Sequence, residues 1–441
     1  MKRLISIAVF YLIVFVVFPF QGIGQSVLTM EQAIGIALEN NYDIRLVAKD
    51  ADVATNNVHI GNAGMLPSIS GDVSASASIQ NTTQTLLAGE TRALRGARNR
   101  SSAYGVNLDW TIFDGMQMFA RYDQLKELRA LGEANLKAAI LSTVYEVVSG
   151  YFDLVQQQQL IKATQTALEL SAFRHQTAES RYQIGRASKL EVLAASVDLN
   201  TDTTNLLRQR DTYRTTQIRL NELLARDVNT EFTVADTILI ATDLHYETLV
   251  NQAKRLNPAL QSALINHRVS QLELNRVKGQ RYPVVRLSSA YTRSQSSAEL
   301  GFSTRSRNNG FNYGISASMN IFNGFLQRRN ERNAELMLDA AEIEVDKIEE
   351  NINAQLLAAY QTYLMNLELV RLEERNRDIA RENMDITLDK FTLGSIAPVE
   401  FREAQRNFVD ASTRYSTAQY QAKLAEITLK QIAGVLDGEQ P

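Results

Sequence analysis

The stretch Tyr104 to Gly115, YGVNLDWTIFDG, returns later in the chain as Tyr313 to Gly324, YGISASMNIFNG. Both copies alternate apolar and polar residues, the period of a strand with one apolar face. Both close on Phe, then Asp or Asn, then Gly. Both then feed a helical pattern of roughly seventy residues, about 100 Å at 1.5 Å per residue. A strand leading into so long a helix, twice in one chain, is an internal duplication, and it limits the fold to something built from two equivalent halves.

The same offset sets Tyr182-Gln-Ile-Gly185 on Phe391-Thr-Leu-Gly394 and Tyr151 on Tyr360. Upstream the offset is slightly larger: Leu66-Pro67 matches Tyr282-Pro283, and Asn41 falls on Asn257. The extra residues lie between Pro67 and Tyr104, where a connection of variable length is expected.

Composition removes several classes of function. The 441 residues carry a net charge of -3, so no nucleic-acid footprint is visible. There is no cysteine, which excludes disulfides, thiolate zinc sites and a thiol nucleophile. His59, His175, His245 and His267 lack metal-ligand spacing, and no nucleophile, base and orienting group come together in the pattern. The expectation is a protein that is not an enzyme and needs no cofactor. Residues 1–24 read as a secretory signal: Lys2 and Arg3, an apolar run from Leu4 to Phe20, then small residues at Gly22 and Gly24.

Residues 25–65 read as one helix, opened by Thr29-Met-Glu-Gln32 in a capping-box pattern. Residues 66–114 form the first hairpin, with Asn81 to Ser102 expected as a polar connection carrying Arg92, Arg95, Arg98 and Arg100. Residues 115–227 hold the long helix, a break at Gly185 and a shorter helix. Residues 228–243 join the halves as a β-like segment. The second half repeats the plan as a helix (244–281), a hairpin (282–323), long helices (324–436, broken at Gly394) and a tail (437–441).

The alternating strands reach the length needed to cross an outer membrane at a tilt, about 9–11 residues, and their two faces suit lipid on one side and water on the other. A spanning sheet cannot leave open edges in lipid, and four strands cannot close a barrel. Eight strands would leave an interior filled by side chains; twelve, from three chains, would leave a hole. The helix before each hairpin and the shorter helix after each glycine break add up to about the length of the long one, so the rods can continue the same cylinder.

At this point the chain resembles the TolC family of outer-membrane efflux proteins. The resemblance rests on the paired strand ends Trp110-Thr-Ile-Phe-Asp-Gly115 and Met319-Asn-Ile-Phe-Asn-Gly324, and on the paired turns Arg181-Tyr-Gln-Ile-Gly185 and Lys390-Phe-Thr-Leu-Gly394. It implies an α plus membrane-β fold, TolC-like. In it, four strands per chain complete a trimeric 12-stranded β-barrel, continued by an α-helical coiled-coil barrel in the periplasm. It implies a homotrimeric exit duct in outer-membrane lipid, conducting exported substrates passively from an inner-membrane efflux or ABC transporter through a periplasmic adaptor. The alternative from another class is a periplasmic or surface coiled-coil scaffold without a pore.

Two sets of residues carry these expectations. Tyr182, Ile184, Gly185, Phe391, Leu393 and Gly394 match the family positions that meet the adaptor, although a glycine after a helix is also a C-cap. Glu191, Glu400 and Glu403 follow the two glycine breaks, and threefold repetition would make each a ring of like charge. Glu191 also completes a capping-box pattern with Ser188. Family members often lock the closed tip with Tyr, Arg and Asp. Phe391 and Ile396 stand where the Tyr and Arg would be and cannot donate hydrogen bonds, leaving Arg186 and Lys189 as candidate donors.

Overall fold

The computed structural model describes residues 27–87, 89–235, 237–300 and 303–435. The stretch read as a secretory signal (1–24) and the tail read at 437–441 lie outside the described residues. The first half consists of β1 (Val27–Leu28), α1 (Met30–Asn40), α2 (Tyr42–Asn57), β2 (Ser68–Thr85), β3 (Thr91–Phe113), α3 (Gln117–Gln183) and α4 (Lys189–Leu223). The second consists of β4 (Thr233–Val234), α5 (Tyr246–Leu256), α6 (Pro258–Gly279), β5 (Val284–Ala298), β6 (Arg305–Ser318), α7 (Leu326–Thr392) and α8 (Pro398–Ala433). The chain divides into two compact units. One comprises the described parts of Met1–Ile44, Ile140–Asn251 and Gln355–Pro441; the other comprises Arg45–Ala139 and Gln252–Ala354.

The second unit holds a four-stranded antiparallel sheet in the order β2-β3-β5-β6. Its register sets Ile69 opposite Leu108, Val106 opposite Tyr291, and Tyr291 opposite Phe311. Since alternate residues share a face, the apolar side chains of all four strands form one belt. Most of them are exposed in the single chain, Val73 at 86%, while Leu108 and Leu287 are half-buried. Ser, Asn, Asp and Gly fill the other face, where Asn107 donates to Asp72 and Ser76 and Ser101 hydroxyls lie 2.7 Å apart. Among the described residues, β2 and β6 each have a free edge.

The Phe-[Asp/Asn]-Gly ending is a strand-to-helix switch. Asp114 Oδ1 accepts from the Met118 N–H (3.1 Å), and Asn323 Oδ1 accepts from the Gln327 N–H (3.3 Å), so each caps the helix that follows. The next two residues are left-handed in both copies: Gly115 and Met116 at φ 75° and 71°, Gly324 and Phe325 at 67° and 63°. Gly115 has a second reason to be glycine, because a Cβ there would lie 2.2 Å from the Gly279 carbonyl oxygen. Beside the second switch the buried Glu331 takes both an ion pair from Arg281 and a hydrogen bond from Gln327, whose amide also donates to the Val277 carbonyl.

The first unit packs the middle of α3 (Leu141, Val144, Val147, Val148, Leu154, Val155) against α1, Leu220, Leu224, Phe232 and Val234. A window of α3 is long and apolar enough to cross a membrane, yet half of it is buried; its apolarity fits a core helix. β1 and β4 pair in parallel. The Tyr151 hydroxyl donates to the Leu28 carbonyl (3.1 Å) and accepts from the Ala235 N–H (3.2 Å), which ties the β1–β4 pair to α3. Its repeat equivalent, Tyr360, donates to Leu244 in the same manner (3.3 Å).

Three expectations need correction. The helix expected over residues 25–65 is two helices: Asn41 breaks it with extended backbone, its side chain accepting from the Asp43 and Ile44 N–H groups and donating to the Leu223 carbonyl. Asn257 makes the equivalent break, capping Ala259 and Leu260. The β-like stretch between the halves pairs only at Thr233–Val234. The polar connection at Asn81 to Ser102 is mostly strand. β2 runs to Thr85, β3 starts at Thr91, and Gly96, left-handed at φ 73°, bulges β3 where its N–H meets Asn81 Oδ1. Beyond the apolar belt neither face has to be apolar, so the alternation fades while the hydrogen-bond ladder continues.

Candidate functional site: the two helical turns

Both long helices of the first unit end in the same device. Gly185 stands at φ 75°, its N–H bonded to the Tyr182 carbonyl (2.9 Å), and Arg186 N–H reaches the Arg181 carbonyl (2.7 Å). Gly394 stands at φ 75°, its N–H on Phe391 (3.0 Å), with Ser395 N–H on Lys390 (3.0 Å). This is the Schellman pairing, in which a left-handed residue lets the last carbonyls of a helix find donors.

The helices that follow are capped differently. Ser188 Oγ accepts from the Glu191 N–H (3.2 Å) at the start of α4. Ala397 offers no side-chain acceptor for α8; Pro398 follows it, and the Glu400 carboxylate reaches back to the Ala397 N–H at 3.4 Å. A carboxylate in a first helical turn also meets the positive end of the helix dipole. Glu400 and Glu403 are exposed and Glu191 is half-buried. Glu191 and Glu403 make no side-chain ion pair among the described residues.

The six turn residues do not share one environment. Ile184 and Leu393 are exposed, Leu393 at 83%, and Tyr182 is 43% exposed. Phe391 is withdrawn from the surface at 1%. Its ring stacks on Phe401 with centroids 5.0 Å apart and planes 10° from parallel. The two turns are joined by Arg181, which donates to the Phe391 carbonyl (3.1 Å) and holds its guanidinium 5.1 Å from the Phe391 ring centre. The sequence pointed to Arg186 and Lys189 as donors. Within the chain the link belongs to Arg181, while Lys189 lies over the Tyr182 ring at 5.4 Å. No local spacing marks Arg181 as a linker, since its partner is a backbone carbonyl 210 residues away.

One turn further along α8, Arg402 enters a buried polar cluster. Its Nη1 donates to Asp202 (2.6 Å), with Asp198 at 3.6 Å. Gln405, 1% exposed, donates to the Ala167 carbonyl (2.6 Å) and the Ser171 hydroxyl (2.9 Å). Arg174 pairs with Asp198 beside them. Burial works to lower the Arg402 pKa, but the hydrogen bond and charge of Asp202 and the charge of Asp198 outweigh it, and the guanidinium is held above its ordinary value. The cluster fastens α8 to α3 and α4. Among the described residues no group of His, Asp and Glu side chains could hold a metal ion.

The chain thus joins a sheet with one apolar and one polar face and two open edges to long duplicated helices that end in capped turns. The sequence profile of the family described as "Outer membrane efflux protein" matches residues 33–226 and 249–435. The chain belongs to the outer membrane efflux protein family, whose TolC-like members its sequence resembles. It is 20% identical to the outer membrane protein TolC of Vibrio cholerae serotype O1 (strain ATCC 39315 / El Tor Inaba N16961), over 91% of this chain and 89% of that protein. It is 19% identical to the outer membrane efflux protein BepC of Brucella suis biovar 1 (strain 1330), over 95% and 88% respectively. Among solved structures it superposes on the CmeC outer membrane channel of Campylobacter jejuni with a TM-score of 0.77, at 17% identity, covering 93% of this chain and 87% of that one. The fold expected from the duplicated strands and helices is therefore the observed one.

Proposed function

We propose that three copies of this chain form the exit duct of an export system. In this reading the strands close a 12-stranded barrel in the outer membrane and the helices continue it into the periplasm. The observation that carries the reading is the sheet. It has an apolar belt on one face only and a free edge on both β2 and β6, and lipid-embedded sheets do not leave edges unpaired. Closure by identical neighbours satisfies both edges at once. Transport through such a duct is passive, and an inner-membrane efflux or ABC pump supplies the energy.

Ile184, Leu393 and the Tyr182 edge, exposed on turns fixed by Gly185 and Gly394, are the surface offered to a periplasmic adaptor. Phe391 supports that surface from beneath. Glu400 and Glu403, exposed near the same end of α8, would repeat three times as an acidic constriction favouring cations; Glu191, half-buried in the first turn of α4, would add a weaker ring at the corresponding level of the first repeat.

The deciding experiment is the conductance of the detergent-purified protein in a planar bilayer, with its oligomeric mass measured alongside. Discrete channels from a trimer are expected; a monomer silent in the bilayer would overturn the duct. Glu400→Gln/Glu403→Gln should lower cation selectivity in the same recording. Ile184→Asp/Leu393→Asp should abolish efflux while leaving conductance intact.

A further inference from the structure

Towards the hairpin turns, the outward face of the sheet runs past its apolar belt. In register, Val106, Tyr291 and Phe311 form the last row in which all three side chains are apolar or aromatic. The next row sets Tyr104 beside Arg293 and Asn309. The row after that places Arg307 beside Gln295, and the following one sets Arg100 and Arg305 on either side of Ser297. No register shift interrupts β3–β5 between Asn99 and Thr111, nor β5–β6. Arg100, Arg293, Arg305 and Arg307 therefore stand on the same face as Leu108 and Trp110, beginning where the aromatic row ends. All four are exposed, and none has an ion pair among the described residues. Glu299, just beyond β5, accepts from the Arg98 backbone N–H at 3.0 Å.

We propose that these four arginines bind the phosphates of anionic lipid headgroups in the leaflet that surrounds the hairpin end of the barrel. The proposal rests on the membrane-barrel reading above. Side chains two apart on a strand are separated by about 6.6 Å, and residues two strands apart by about 10 Å. Arg305 and Arg307, or Arg100 and Arg305, can thus share one phosphate between their guanidinium forks. Arginine suits the task because its planar donors match phosphate oxygens two at a time. A solvated loop has no reason to keep four uncompensated cations on one face. A face that leaves hydrocarbon and enters a phosphate layer does, since an anionic surface attracts each cation held near it.

Trp110, the chain's one tryptophan, lies on the same face within the apolar belt, so a single preparation reads both claims. The full-length protein is equilibrated with phosphorylated lipid A or its phosphate-free counterpart, and bound lipid is counted by native mass spectrometry. Quenching of Trp110 by brominated acyl chains is read in parallel. The phosphorylated form should be retained at least tenfold better by the parent protein, and less so as salt rises. Arg100→Ser/Arg293→Ser/Arg305→Ser/Arg307→Ser should reduce that preference to near unity with Trp110 still quenched. Arg286→Ser, which removes one charge from the polar face opposite Thr111, should keep the preference. Equal retention of the two lipids by the parent, with Trp110 quenched, overturns the arginine belt and leaves the barrel standing. An unquenched Trp110 overturns the barrel and the belt with it. If the fourfold variant fails to insert, Arg305→Ser alone and the salt series on the parent decide, and a preference indifferent to both sinks the proposal.

Discussion

The two turns of the first unit share a backbone and differ in nearly every side chain that matters. Gly185 and Gly394 have the same φ and the same paired hydrogen bonds. Yet Tyr182 is partly exposed where its counterpart Phe391 is buried against Phe401. Ser188 caps α4 by its hydroxyl, whereas Ala397 leaves that work to Glu400. Arg402 lies in a polar cluster, while the equivalent residue of α4, Leu193, is 53% exposed. Duplication has kept the turn, which the chain needs in order to reverse. It has let the anchoring diverge, so that the second turn is held by the first unit's interior and the first turn presents its side chains outward.

The sharpest way to break that contrast is to truncate the paired aromatics. Phe391→Ala should cost about 4 kcal/mol, the loss typical of a buried aromatic, while Tyr182→Ala should stay within about 1 kcal/mol. Hydrogen exchange at the two turns would read the difference, with faster exchange around Gly394 but not around Gly185. Next in size is Asp202→Ala, which leaves Arg402 buried without its main partner and should cost about 3 kcal/mol. The double change Asp202→Ala/Arg402→Leu copies the apolar residues of the other repeat, Ala411 and Leu193, and should recover most of that loss in the same assay. Capping is a smaller effect. Ser188→Ala should destabilise the start of α4 by about 1 kcal/mol, and Ala397→Ser should stabilise the start of α8 by a similar or smaller amount. The smallest concerns Ala225, left-handed at φ 49° where the second repeat has Gly434 at 76°. Ala225→Gly should gain roughly 0.5 kcal/mol, the relief of strain partly offset by a freer unfolded chain.

The plan of the molecule was legible because duplication prints every feature twice. The strand endings at Gly115 and Gly324, the helix lengths and the breaks at Gly185 and Gly394 follow from periodicity and turn chemistry. Features with no local signature stayed hidden. Arg181 binds a carbonyl, which any residue could have supplied, and Phe391 reads as apolar whether it faces a partner or a core. The outer ends of β2 and β3 are polar on both faces and read as a loop, although their backbone pairs continue. Asn41 and Asn257 were visible as a matched pair; that their side chains stop one helix and start the next needed the geometry.

The junction of β3 with β5 has a consequence for time. Each hairpin can close soon after its own residues become available. The sheet cannot, because Arg98 meets Glu299 across 201 residues, and distant pairings form slowly. Until the second hairpin arrives, the first carries an exposed apolar face and an unsatisfied flank on both sides. A secretion pathway that delivers this chain from its N-terminus must shelter that half-made sheet for the whole interval. The order of synthesis thus gives the first hairpin the longer wait, because the second finds β3 already in place to pair with β5.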